Sequence, residues 1–370
     1  MSQPVSVGAD PVTPGATPPS TEKRKNKKMA LGDGQGRLAA FLISPTMIVI
    51  FVVVFIPILM SLRESVFLKN DGVNPETGLI EQGEKFVGLR NYVDAFGAAT
   101  DSVTSVWGTM PRMLNAFINN MYFTVVCVSI ETVLGVAMAL IMAKAFKGRG
   151  VVRAAILVPW AIPTIVSAMM WKLIFDSQGV ANKIIGHTVL WLGDSAASQW
   201  AVIIADVWKT APFIGLLTLA GLQTIPDEVY EAAKVDGANR WQSFVRITLP
   251  MVKPALVVAV LFRTLDTMRM FDLPYGMIGA NKYSVETLSV FAYQEAQATR
   301  YGPAAAYSIM LFLLIVIVAF VFIKLLGADV VSDPEVTAQR AQRKRMRKLH
   351  RQARRGGSGT RPTTSGEYQS

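Results

Sequence analysis

The chain has 370 residues, of which 51% are hydrophobic and only 17% charged, with a formal net charge of +11. Soluble domains carry about 25% charged residues, so the deficit excludes an ordinary soluble domain and points into lipid. The basic residues sit in the tails and between apolar runs, which excludes a folded nucleic-acid-binding face. The single cysteine, Cys127, excludes an intrachain disulfide, and two histidines, His187 and His350, cannot build a His-rich metal site.

Residues 1–37 are rich in Pro, Ser and Thr and then basic (Lys23-Arg24-Lys25-Asn26-Lys27-Lys28), which predicts a disordered tail. Leu38 to Leu62 follows, 25 residues without a charge. That is longer than the apolar core of about 7–15 residues in a secretory signal, and it lacks a cleavage site, so it reads as a retained first span. Five further spans are drawn at Leu114–Ala143, Val151–Phe175, Trp200–Leu222, Val252–Phe271 and Ala304–Leu326. Each meets the ~20 residues needed to cross about 30 Å of hydrocarbon, and backbone groups in lipid must be satisfied internally, so all are helices. The segment from Arg63 to Met113 has room for a short helix around Asn91–Phe96.

With the N-terminus in the cytoplasm, 24 Lys and Arg fall on the inner side and 8 on the outer. That excess predicts both termini inside. Arg340 to Arg355 holds nine basic residues and no acid, a solvated tail or a basic helix on anionic headgroups.

The segment between spans four and five is no simple connector. Asp227 and Glu228 after Pro226 suit a helix N-terminus, and the helix predicted over 227–235 ends at Gly237. A second short helix, Arg240–Ile247, is expected to stop at Pro250. The sequence through this knob reads Glu231-Ala232-Ala233, then Asp236-Gly237-Ala238, then Ile247-Thr248-Leu249-Pro250. Here the chain resembles the inner-membrane permeases of binding-protein-dependent ABC importers, whose cytoplasmic signature has these elements at this spacing. Phe86-Val-Gly-Leu-Arg-Asn-Tyr92, Asn120-Met-Tyr-Phe-Thr124, Pro159, Pro163 and Val207-Trp208-Lys209-Thr210-Ala211-Pro212-Phe213 look like the carbohydrate branch of that family. The resemblance implies that the knob is a coupling helix seated in an ATPase subunit, with Glu231 pairing a basic residue there. Ala232, Ala233 and Gly237 would permit close packing, and Asp236 belongs to the same coupling set. The chain lacks a Gly-x-x-x-x-Gly-Lys-Ser/Thr phosphate loop, so the motor is expected on a partner.

Ionisable residues recur inside the later spans: Asp206 and Lys209 in the fourth, Arg263, Asp266 and Arg269 in the fifth. A charge at the bilayer centre costs ~2.5–3.5 kcal/mol on insertion scales, so these should face the bundle interior or a wet cavity. At 1.5 Å per residue Lys209 lies about 13 Å from one end of its span and Asp266 about 21 Å from the start of its own, depths at which the two could meet. One reading is a set of ion pairs locking helix packing; the other is the polar lining of a translocation cavity. The resemblance implies the second, with Asp206, Lys209, Thr210, Phe213, Arg263, Asp266, Thr267 and Met270 binding substrate and Phe213 stacking on a pyranose ring. Trp171 and Lys172 read as interfacial anchors.

The expected protein is therefore all-α and integral to the membrane, with six transmembrane helices in the type I ABC importer permease fold. Its regions are a basic cytoplasmic tail (1–37), the permease domain (38–326) and a basic cytoplasmic C-terminal tail (327–370). The resemblance implies a non-enzymatic sugar-importer subunit in a prokaryotic plasma membrane, closest to the trehalose-type permeases, with trehalose first and maltose second. Partners would be a paralogous permease, two ATP-binding subunits, an extracytoplasmic sugar-binding protein, the sugar and membrane lipids, with no nucleic acid. No cofactor or metal is expected on this chain; ATP and Mg²⁺ belong to the partner ATPases. The alternatives are an ion-coupled secondary transporter, which would not need the knob, and an ABC permease for another solute such as glycerol phosphate.

Overall fold

Long apolar runs have no water to hydrogen-bond their amides, and in this chain they close those bonds internally as helices. The computed structural model describes residues 33–69, 72–73, 80–81, 83–96, 102–193, 196–280, 282–330 and 346. Most of both expected tails lies outside the described residues. The chain divides into Met1–Ile58 and Leu59–Ser370.

In the first unit, α1 (Asp33–Ile50) runs into a π-helical turn, Phe51–Phe55, and then into the start of α2 (Ile56–Ser65). The large apolar side chains of this stretch, Phe41, Met47 and Phe51 among them, are exposed, the surface that a lipid-facing helix presents.

In the second unit α2 ends at Ser65 and hands over to short antiparallel ladders that were not expected from sequence. Strand β1 (Phe67–Lys69) pairs with β4 (Glu84–Phe86), β2 (Gly72–Val73) with β3 (Ile80–Glu81), and β5 (Ser102–Ser105) with β6 (Gly108–Pro111). Strands of two to four residues are too short for an alternating pattern to show. The expected short helix is α3 (Arg90–Phe96). The Phe86–Tyr92 motif fixes it in place: Asn91 Nδ2 donates to the carbonyls of Ser65 (2.8 Å) and Phe67 (3.0 Å), and Tyr92 donates to Ser65 Oγ (2.7 Å).

The bundle follows. Helix α4 (Arg112–Ala143) is the second span; α5 (Arg149–Ala161) and α6 (Thr164–Ile174) replace the third; α7 (Val180–Ile185) is a short connector; α8 (Ala196–Leu222) is the fourth. Then come α9 (Asp227–Val235), α10 (Arg240–Ser243), a π-helical turn at Phe244–Thr248, and α11 (Leu249–Met268). Helices α12 (Asp272–Met277), α13 (Leu288–Gln297) and α14 (Tyr301–Val330) complete the chain. Among the described residues five helices are long and apolar enough to cross a membrane, or six if α5 and α6 count as one broken span.

Two expectations need correction. The third span is not one rod: α5 and α6 meet at 95°. Pro163 leaves its own nitrogen without a hydrogen and holds Ile162 in extended backbone, so the helix cannot run through. Nor does Pro250 stop the second knob helix. The chain passes from α10 through the π turn into α11, giving one helical stretch over Arg240–Met268. Leu249 N–H reaches back five residues to the Phe244 carbonyl, a wider turn that accommodates a proline at the start of α11.

Helix α8 is the most enclosed of the candidate spans. It packs against α4 where both have glycine: a Cβ on Gly135 would stand 2.7 Å from the Ile214 Cβ, and one on Gly215 would stand 3.2 Å from the Gly135 carbonyl. Small residues let two backbones approach this closely. The first turns of α4 carry buried asparagines. Asn115 and Asn119 each donate to the Tyr283 carbonyl (2.7 Å), Asn119 also to Glu286 O (2.9 Å), and Asn120 to Met268 O (2.9 Å). The Asn115 and Asn119 bonds satisfy the non-helical backbone between α12 and α13, which would otherwise be costly to bury, and the Asn120 bond a carbonyl at the C-terminal end of α11.

Candidate functional site

Three helices, α4, α8 and α11, turn ionisable side chains inward at one level. Arg263 on α11 is the centre. Its Nε donates to Glu131 Oε2 (2.6 Å), its Nη2 to Glu131 Oε1 (3.1 Å) and to Asp206, and its Nη1 to Asp266 Oδ2 (2.7 Å). Thr210 Oγ1 lies 2.7 Å from Glu131 Oε1 and 2.5 Å from the Asp206 carbonyl, with one hydrogen to share between the two acceptors. Arg263, Glu131 and Asp206 are buried, and a guanidinium offers five donors in a planar fork that can serve several carboxylates at once. Removing the arginine would strand two carboxylates in a dry interior.

Glu131 was missed from sequence. It is the one acid in the long apolar run of α4, and an isolated intramembrane carboxylate is itself the signal that a partner waits on a facing helix. Cys127 Sγ and carboxylate oxygens of Glu131 and Asp206 lie within 4.8 Å of one another. A cation could sit among such ligands, but the Arg263 guanidinium already supplies the positive charge there.

Lys209 and Asp266, which could meet by depth, line one cavity but form no direct ion pair. Lys209 Nζ donates instead to the carbonyls of Ile162 (2.8 Å) and Trp160 (3.4 Å), at the C-terminal end of α5. A helix end leaves carbonyls without intrahelical partners and carries partial negative charge, so an ammonium fits there. The break at Pro163 creates these acceptors, which no linear comparison of spans would reveal. Asp266 pairs with Arg263 and, at 3.2 Å, with Arg269.

Burial divides the set. Asp266 and Arg269 keep 52% and 70% of their side-chain surface exposed, whereas Arg263 keeps 4%, although it and Thr210 border both cavities described next and Asp206 borders the larger. A cavity of about 390 Å³ opens between α5, α6, α8 and α11, lined by Trp160, Thr164, Lys209, Asp266, Arg269 and Phe271 among others. A contiguous one of about 250 Å³ is lined by Phe213, Phe262 and Trp160 as well as Asp266 and Arg269. Phe213 lies roughly parallel to Trp160, ring centroids 6.0 Å apart, so two aromatic faces border the charged residues. Thr267 and Met270 line the larger cavity but are otherwise committed. Thr267 donates to its own helix at Arg263 O (2.9 Å), and Met270 packs with Phe123, Cys127 and Val207. Trp171 is half-buried, stacking on Phe175 and meeting Trp208 edge-on, while Lys172 is exposed.

At the other end of α11 the knob is a compact hairpin. Gly237 adopts φ +80°, and Ala238 N–H closes on the Ala233 carbonyl (2.9 Å), ending α9. Asn239 then caps α10 through a reciprocal box with Gln242, both bonds 2.8 Å. Glu231, Ala232, Asp236 and Gly237 are exposed, but Ala233 is buried against its own chain. The most exposed apolar groups of the knob are Val235 (87%) and Trp241 (71%), which its sequence signature does not include.

Fold and site together define a helical membrane protein with a charged cavity at one end of α11 and an exposed helical hairpin at the other. The profile of the binding-protein-dependent transport system inner membrane component matches residues 131–330. The chain is 38% identical to the trehalose/maltose transport system permease protein MalF of Thermococcus litoralis over 78% of this chain and 94% of that one. It is 35% identical to the trehalose transport system permease protein SugA of Mycobacterium tuberculosis over 79% and 89%. Among solved structures, a bacterial ABC transporter that imports the acidic polysaccharide alginate shares the fold, with a TM-score of 0.66 at 20% identity over 81% of this chain and 98% of the other. The chain belongs to the family of inner-membrane components of binding-protein-dependent ABC importers.

Proposed function

We propose that this chain forms half of the translocation pathway of an ATP-driven disaccharide importer, with trehalose as the first substrate and maltose the second. The observation that carries the reading is the cavity itself, in which the Phe213 and Trp160 rings stand beside Asp266 and Arg269. Aromatic faces pack on the apolar side of a pyranose, and carboxylate and guanidinium groups hydrogen-bond its hydroxyls. The names of the relatives in Thermococcus litoralis and Mycobacterium tuberculosis support trehalose and maltose.

In this reading Phe213, Asp266 and Lys209 meet the sugar together with Trp160 and Arg269. Arg263, Asp206 and Thr210 act with Glu131 to hold the wall, and Thr267 and Met270 shape it. A paralogous permease supplies the other wall, and an extracytoplasmic binding protein delivers the sugar. Two ATPase subunits, carrying ATP and Mg²⁺, dock beneath the two permeases, one of them on this chain's hairpin from Glu231 to Pro250, whose Glu231, Ala232, Asp236 and Gly237 face outward and whose Ala233 holds the turn together. Both termini lie in the cytoplasm, as the distribution of basic residues favours.

The test is uptake of radiolabelled trehalose and maltose into proteoliposomes holding the whole importer. ATP should drive uptake of one or both, and Phe213→Ala should reduce it about tenfold or more by removing a stacking face. Uptake driven by an ion gradient without ATP, or loss of neither sugar's uptake in Phe213→Ala, would sink the proposal.

A further inference from the structure

The end of the molecule remote from α9 and α10 has a second cavity, of about 510 Å³, within the range of about 300–1,000 Å³ usual for small-molecule sites. It is lined by Tyr275, Tyr293, Gln294, Gln297, Arg112 and Arg300 among others. Tyr293 also borders a groove of about 680 Å³ whose wall includes Arg269 and Phe271, and those two residues in turn line the charged cavity. The spaces are therefore strung together by shared side chains. Where they join, Phe271, Tyr275 and Tyr293 contact one another, with ring centroids 5.0–5.3 Å apart. A purely structural aromatic cluster would bury its faces, but Tyr293 stays 37% exposed and each ring borders a cavity.

Apart from Glu295, which is taken up by its ion pair with Arg300 (2.7 Å), the polar groups beside these rings are donors. Gln294 Oε1 accepts from Arg112, a side chain that can only donate, so the orientation of the amide is set and its Nε2 faces the other way. That Nε2 is buried without a hydrogen-bond partner, a costly state for a free amide. Gln297 Nε2 donates to the Tyr293 hydroxyl (2.7 Å) and has a second hydrogen to offer. Support beneath is rigid: Arg112 forms a bidentate pair with buried Glu286 (2.9 and 2.5 Å) and lies over the Phe291 ring. Burial pushes the Glu286 carboxyl up, and the hydrogen bond from Arg112 opposes that shift.

We propose that this cavity is a second carbohydrate station, where a sugar ring stacks on Tyr275 and Tyr293 and its hydroxyls accept from Gln294 and Gln297 before it passes Phe271 into the central cavity. The inference rests on the sugar-importer reading above. It assigns a site on α12 and α13, away from the α8–α11 residues.

The test uses the complete importer in lipid nanodiscs with trehalose carrying a photoreactive diazirine on a primary-alcohol carbon, and maps adducts by mass spectrometry. Adducts are expected on residues 275–297 as well as on α8 and α11. Gln294→Glu keeps the acceptor for Arg112 but loses the orphan donor, and Gln297→Ala alters only an exposed side chain. Each should lower the 275–297 adducts about tenfold relative to the central ones, as expected for a lost hydrogen bond. Adducts confined to α8 and α11, or adducts at 275–297 that neither variant reduces, would overturn the station while leaving the sugar reading intact. Labelling in neither region, in an importer that still moves another solute, would overturn both.

Discussion

Arg263 decides how the charged residues are read, because packing and function divide at its two faces. Its Nε and Nη2 serve two buried carboxylates, and its Nη1 reaches Asp266 at the cavity. Removing one partner of a buried ionic cluster is destabilising by about 3–5 kcal/mol, since the others are left uncompensated. Arg263→Met should therefore lower the melting temperature of the detergent-solubilised importer sharply. Arg263→Met combined with Glu131→Gln and Asp206→Asn should recover most of that loss, since neutral amides can bond to Thr210 and to each other. Failure of the triple variant to recover would mean that the cluster's charges are not its main role. Asp266→Asn, by contrast, touches an exposed carboxylate and should leave melting within about 1 kcal/mol of the parent while lowering trehalose uptake. Five of the six charges were legible in the sequence as intramembrane costs that need a reason. Glu131 carries the same intramembrane cost in α4, but its partner shows only once α11 is folded against α4, and the geometry of Lys209 was illegible because its acceptors exist only where α5 breaks.

At the scale of elements, span positions were readable because nearly every long apolar run is a helix, whereas the interruptions were not. Two prolines, Pro57 and Pro250, each sit two residues past a π-helical turn, Phe51–Phe55 and Phe244–Thr248. In each case the last N–H before the proline reaches back five residues, from Ile56 to Phe51 and from Leu249 to Phe244. A proline reads as a stop in sequence, yet one wide turn lets the helix continue through it. Pro163 has no such turn before it and gives the 95° break. Packing between elements makes its own prediction. A Cβ on Gly135 already meets Ile214, so Gly135→Leu would force α4 and α8 apart and displace Glu131 from Arg263. Overpacking of this kind costs about 1–3 kcal/mol or more, and uptake should fall along with stability. Gly135→Leu with unchanged melting and uptake would show that the close approach is dispensable. In the hairpin, Asn239→Ala removes a capping box and should cost about 1 kcal/mol locally, read as faster amide exchange in α10 without a change elsewhere.

The whole molecule sets its two candidate sites at opposite ends of one rod. The helical stretch Arg240–Met268 starts in the hairpin and ends beside the charged cavity, carrying Arg263 and Asp266 on its last turns. At 1.5 Å per residue it is about 43 Å long, enough to connect the two faces of a bilayer. In the importer reading, a push on the hairpin would reach the ion cluster through this continuous backbone, with the π turn as the one wide link between them. What the hairpin offers to a pushing partner is Val235 and Trp241, both exposed although apolar, next to Glu231 and Gly237. Buried aromatic anchors dominate the energy of protein interfaces, and truncating one typically costs about 2 kcal/mol or more. Trp241→Asp should thus strip the ATPase subunits from the affinity-purified chain while the paralogous permease stays bound. The charged cavity, at the far end of α11, should still take up the photoreactive trehalose. Both readouts are needed, because a misfolded variant would lose the second permease and the sugar as well. Retention of the ATPase subunits by Trp241→Asp, together with ATP-driven uptake at the parent rate, would show that the motor grips the permease somewhere other than this exposed hairpin.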